Sequence, residues 1–248
     1  MRGTAMGEGR QARGGTEGDR ADDLDMPPWA TIALALAILA GFVAVGTSVC
    51  SLTRAGALVR PLVLEGHEWY RLLAPALLHG SESHWFWNTV ALLLAGWTLE
   101  PLIGPAWLFA TFVLAVVGGT LCSLAFGGDY ALSVGASGGI LGLFAAKLVL
   151  AYAHFPPGEL RNRLVASSVR VVITSLLPAA GSGGEAIDVA AHWGGALAGT
   201  ALAFALTAIW QDDDAQPGWR RIAWVVAAIA AGVVAWDIAA AAAQPACR

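Results

Sequence analysis

Ser137 stands in Val134-Gly135-Ala136-Ser137-Gly138-Gly139-Ile140, where a polar stretch (Gly127 to Ser133) gives way to an apolar one. A serine at such a junction can be a helix N-cap, its oxygen accepting a backbone N–H. It can also be a nucleophile. Small neighbours let a helix or a peptide approach the backbone closely. The free N–H groups of the first helical turn then face any negative charge that develops at the hydroxyl. A nucleophilic serine needs a base, and the candidate is His192 in Ala191-His192-Trp193-Gly194-Gly195-Ala196-Leu197-Ala198-Gly199. Gly195 and Gly199 follow at i+3 and i+7, on the histidine's own helical face, and admit a second helix there. The other reading of His192 is a packed imidazole bonded to a neighbouring carbonyl. His84 and Asn88, one helical turn apart, share a face and both carry N–H donors, as an oxyanion hole requires. They would also suit a polar helix end bonded to the loop before it.

Four more ionisable groups lie in apolar surroundings, where each costs about 2.5–3.5 kcal/mol at mid-bilayer. Asp188, one turn before His192, is read as a helix-start residue rather than a third acid. Lys147 sits about 15 Å along the helix from Ser137 and is expected to snorkel to the inner interface. Glu100 is expected to bond a loop at the inner end of its helix. Asp237 falls within the last apolar run.

The elements that must position these groups are membrane spans. Across 248 residues, 57% are hydrophobic and 13% charged, with a mean hydropathy of +0.63. That balance describes an all-α, polytopic membrane protein. A net charge of −4 with no basic run argues against nucleic acid. Cys50, Cys122 and Cys247 are far apart, with no C-x-x-C, so neither a metal site nor a disulfide framework can be read from them. A Cys50–Cys247 bridge stays open.

Residues 1–28 read as a disordered polar tail. Trp29 to Leu52 is long enough to cross a bilayer. The connection 53–83 mixes charges with apolar and aromatic residues and should form short interfacial helices. Five or six spans follow, at His84–Ile103, Pro105–Phe126, Ser137–Ala153, Val169–Ala180, Ile187–Trp210 and Ile222–Ala243, the fifth span overall being short and the weakest. With seven spans and a cytoplasmic N-terminus, nine arginines fall inside and four (Arg54, Arg60, Arg71, Arg248) outside, which favours N-in, C-out. Ser137 is then on the outer side. A helix over Ser137–Ala153 rises roughly 25 Å, short of the roughly 30 Å hydrocarbon core. The serine should therefore lie in a wet cavity below the outer surface.

Three motifs in this order resemble the rhomboid family of intramembrane serine proteases. They are His79-x4-His84-x3-Asn88, Gly135-Ala136-Ser137-Gly138 and Ala191-His192-x2-Gly195-x3-Gly199; Glu100-x3-Gly104 is similar to a fourth family pattern. The resemblance covers about Trp29 to Trp210. It implies a six-helix core (29–210) with an interfacial first loop (53–83), followed by a linker and a seventh helix (211–248). It also implies a hydrolase with a Ser137–His192 dyad, no acid and no cofactor or metal. The oxyanion hole would be the Ser137 N–H with His84 and Asn88. Gly135 and Gly138 would shape the active-site loop, while Gly195 and Gly199 pack the helices near the dyad. Substrates would be single-span membrane proteins in the same bilayer, here the plasma (inner) membrane of the cell, with span five and the 181–186 cap as their gate. The family's Trp-Arg pair reads Trp69-Tyr70-Arg71 here, a departure that bears on loop packing. A catalytically silent, client-binding relative is the alternative. A solute transporter would need paired repeats with broken helices, which the sequence does not show.

Overall fold

The computed structural model describes residues 27–128, 132–176, 187–210 and 216–242, without the side chains of 234 and 236–242. Expectations for the tail before residue 27, the 181–186 cap, the Asp237 side chain and any bridge through Cys247 fall outside these residues. The described chain is all-α. Helix α1 is Trp29–Val45, and it ends where Gly46 adopts φ 71°. The first span is thus shorter than the expected Trp29–Leu52. Beyond the glycine, Ser48 caps a separate short helix, α2 (Val49–Arg54), by accepting the Ser51 N–H at 3.1 Å.

The first loop continues through α3 (Arg60–Leu64) and two 3-10 turns, Trp69–Leu72 and Ala74–Leu77. Arg71, 2% exposed, gathers it. Its Nη1 donates to the carbonyls of Thr53 (2.7 Å) and Ala57 (2.8 Å), and its Nε to Glu68 Oε2 (2.7 Å). The Tyr70 hydroxyl donates to the same carboxylate oxygen at 2.6 Å. The tyrosine inserted between Trp69 and Arg71 therefore joins the clamp.

Helix α4 is Glu82–Phe126, interrupted at Gly104 (φ 79°, ψ 160°). A straight helix of that length would be roughly 65 Å long. Yet its start touches Gly135 and its end touches the first turn of the His192 helix, so the two arms fold back on each other. Pro101 and Pro105 bracket the break. Pro105 has no N–H for the Pro101 carbonyl, and Gln216 Nε2 donates to that oxygen instead, at 3.2 Å. Trp107 Nε1 donates to the Gly218 carbonyl at 2.8 Å, tying the same corner to the chain that leads into the last helix.

Next come α5 (Ser137–His154), α6 (Glu159–Leu176), α7 (Val189–Ile209) and α8 (Arg220–Ala242). Span five starts at Glu159 rather than Val169. Its first turns are polar but helical, with a Glu159–Arg163 pair at i+4. Three helices, α4, α5 and α7, are long and apolar enough to cross a bilayer, and α1 is a shorter apolar helix. The chain is an integral membrane protein.

Two buried ions differ from expectation. Glu100, 5% exposed, bonds a helix start rather than a loop. Its carboxylate accepts the N–H groups of Ala30 and Thr31, both at 2.8 Å, and the Thr31 hydroxyl at 2.7 Å. Pro28 offers α1 no side-chain cap, so Glu100 satisfies two orphan donors and opposes the positive end of the helix dipole. Lys147 does not snorkel; it is 1% exposed. It falls on the inward face of α5, where Nζ donates to Thr98 Oγ1 at 3.1 Å and lies 4.5 Å from the Phe144 ring centre. The Thr98 hydroxyl turns its own proton to the Leu94 and Ala95 carbonyls, leaving a lone pair for the amine.

Candidate active site

Glycine brings the central helices together. A Cβ built on Gly195 would lie 2.1 Å from the Gly138 carbonyl oxygen, and one on Gly199 would lie 2.1 Å from that of Gly142. On the other side of α7, a Cβ on Gly194 would meet the Gly118 oxygen of α4 at 2.3 Å. No side chain fits at these points, so the backbones of α4, α5 and α7 pack almost directly on one another. The result fixes the height of His192 against the start of α5.

There, His192 Nε2 lies 2.8 Å from Ser137 Oγ, and Nδ1 lies 2.8 Å from the Ser175 carbonyl oxygen. Both readings of His192 therefore hold at once, a carbonyl on one nitrogen and the serine on the other. Ser137 is not the N-cap. That position belongs to Ala136, and Ser137 is the first helical residue. Its hydroxyl is free to face the imidazole.

The segment before the serine is held by the first loop. Leu58 and Ser133 exchange two backbone hydrogen bonds at 3.0 Å, and the Gly135 N–H donates to the Pro75 carbonyl at 2.9 Å. Gly135 has φ 121°, a conformation L-residues rarely adopt. A Cβ there would sit 2.7 Å from His84 Nε2 and 3.5 Å from Asn88 Nδ2. Both side chains thus face the loop two residues from Ser137. Asn88 is 7% exposed, and its Nδ2 donates to no group among the described residues. A buried donor without an acceptor costs about 1–3 kcal/mol.

His79 is fully buried, and its ring meets His84 edge-on with centroids 5.0 Å apart. Burial, then the neighbouring His84, lowers its pKa to about 3. It is a neutral wall that fixes the His84 ring. Asp188 caps α7, accepting the Ala191 N–H at 2.9 Å, and takes the Ser123 hydroxyl at 2.5 Å. Both of its oxygens are occupied away from His192. Sequence reasoning offered a neighbouring carbonyl for His192 but not which one, since a main-chain oxygen has no residue-type signature. It also missed the Ser123–Asp188 bond, for which the sequence offers no spacing signal.

The family model described as "Rhomboid domain" matches residues 66–209. RHOMBOID-like protein 5 of Arabidopsis thaliana is 34% identical over 166 residues, 65% of this chain and 51% of its own length. Rhomboid protease GluP of Bacillus subtilis is 32% identical over 160 residues, 64% of this chain and 30% of its own. RHOMBOID-like protein 6, mitochondrial, of A. thaliana is 30% identical over 180 residues, 71% and 54%. The chain thus spans about half or less of the length of these relatives.

Proposed function

The chain belongs to the rhomboid family, and from that premise we propose that it is an intramembrane serine endopeptidase working through a Ser137–His192 dyad. The observation that carries the reading is the 2.8 Å approach of Ser137 Oγ to His192 Nε2. A carbonyl oxygen only accepts, so the Ser175 contact puts the proton on Nδ1 and leaves Nε2 as the acceptor of the serine hydroxyl. Ser137 Oγ attacks the scissile carbonyl carbon while Nε2 takes its proton. The oxygen of the tetrahedral intermediate is held by the Ser137 N–H, His84 and Asn88. Collapse breaks the C–N bond, and the imidazolium returns its proton to the leaving amine. Water then gives a proton to the same nitrogen as it attacks the acyl carbon, the C–Oγ bond breaks, and Ser137 Oγ takes the proton back.

The substrates are single-span membrane proteins cut at or near the outer end of a helix, entering past α6. The seven-span, N-in, C-out arrangement puts Ser137 on the outer side, in the plasma (inner) membrane. Purified protein should cleave a reconstituted single-span substrate, and Ser137→Ala and His192→Ala should each abolish the cut. Cleavage surviving both changes would end the dyad assignment. No cleavage of any helix tested, with no fluorophosphonate on Ser137, would instead favour a client-binding protein.

A further inference from the structure

Among the described residues the imidazole of His192 has two hydrogen-bond neighbours, and only one is a side chain. Nδ1 faces the main-chain oxygen of Ser175, in the last turn of α6. The nearby Asp188 does not compete, being spent on Ala191 and Ser123. Helix α6 is also sparsely buried: Leu164 and Ser168 are its buried residues. Its last two turns are held by Val171, Val172 and Leu176, which pack on Leu141 and Ala145 of the serine helix and Ala196 of the histidine helix, the two valines also meeting the main core. A small apolar contact thus carries the oxygen that faces Nδ1.

We propose that the Ser175 carbonyl is a positioning group for His192, so that the docking of α6 sets whether the imidazole is aimed at Ser137 as a base. The inference rests on the dyad reading above. With the turn docked, Nδ1 carries the proton and Nε2 accepts. With the turn lifted, the ring is free to rotate or to carry its proton on Nε2. That tautomer presents a donor to the serine and cannot take its proton.

The test uses the full chain in lipid nanodiscs. Leu176 is replaced by its α-hydroxy acid, which turns the Ser175–Leu176 amide into an ester. Every side chain stays, but the Ser175 carbonyl becomes a poorer acceptor. The same exchange one residue earlier is the control. It removes one helix N–H and weakens the Thr174 carbonyl instead. Two signals are read, the rate of Ser137 labelling by a small fluorophosphonate and the 15N shifts of the His192 ring, which report its tautomer. The wild type should label, with the proton on Nδ1. The ester at 176 should slow labelling roughly three- to tenfold, the worth of one hydrogen bond, and shift the tautomer signal, while the control stays near wild type. Equal slowing by both esters, no slowing at 176, or a wild-type proton on Nε2 would overturn the proposal and leave the dyad standing. A wild type that never labels would remove the dyad and this inference with it. As a second variant, Val172→Ala with Leu176→Ala loosens the turn itself. It should slow labelling and broaden the His192 signal; an unaltered rate and signal would overturn the docking part.

Discussion

The glycine seam and helix α6 both bear on His192 and are built in opposite ways. In the seam, Gly142, Gly195 and Gly199 leave no room for a methyl group, and a Cβ on Gly138 would press on the Ala191 carbonyl at 3.1 Å. Packing of this kind has no intermediate setting, because a close-packed interface is either formed or broken. Helix α6 contributes two buried residues and a short apolar patch. Serine and imidazole are therefore brought together by the rigid region, while the imidazole's second hydrogen bond comes from the loose one. One site draws its fixed distance from the first and its adjustable part from the second.

The comparison can be broken most directly in the seam. Gly199→Leu puts a side chain into the Gly142 backbone. Overpacking of this kind costs about 1–3 kcal/mol or more, so the thermal unfolding midpoint in detergent should drop by several degrees or the fold should be lost. A midpoint unchanged within a degree would mean the helices are not in backbone contact. Asn88→Ala comes next, and its effect should be on chemistry alone. Losing one oxyanion donor costs about 10²–10³ in kcat, with KM nearly constant. Stability should hold or rise, because a buried unpaired donor is gone. A rise in KM at constant kcat would place Asn88 in substrate binding instead.

The effect at His79 is smaller and depends on pH. Its folded pKa, about 3, lies below the ordinary value of 6.5. Between those values the unfolded chain binds the proton and the folded chain does not, so stability falls as pH falls below 6.5. By pH 5 the loss is about 2 kcal/mol. His79→Phe should flatten that acid slope in a melting series, and an identical slope would show that His79 is protonated in the fold. The smallest change belongs to the outer face of α6. Ile173 is 53% exposed, and Ile173→Ala should change stability by no more than about 0.5 kcal/mol. A loss as large as that of Gly199→Leu would erase the contrast between the two regions.

Much of the candidate site was legible because the chemistry proposed for it needs particular residue types at helical spacings. His84 and Asn88 share a face, and Gly195 and Gly199 follow His192 on its own. Ser137 lies where polar chain turns apolar. What was not legible came from partners distant in sequence. Glu100 announces a buried acid but not that α1 begins beside it, 70 residues earlier. Lys147 reads as an interfacial cation until Thr98 and Phe144 are placed around it. The start of α6 was hidden because Glu159, Arg161 and Arg163 look like loop by charge. Charge marks contact with water or headgroups, not the end of a helix.

The corner at Gly104 bears on where the chain can be cut. Gln216 lies beyond the stretch that matches the family, yet it supplies the donor that Pro105 withholds from the Pro101 carbonyl. Truncation after Trp210 would strip more than an outlying apolar helix. It would leave the Pro101 carbonyl without the Gln216 donor and the Trp107 indole without the Gly218 oxygen. The trimmed protein should be weaker than its lost apolar surface alone implies.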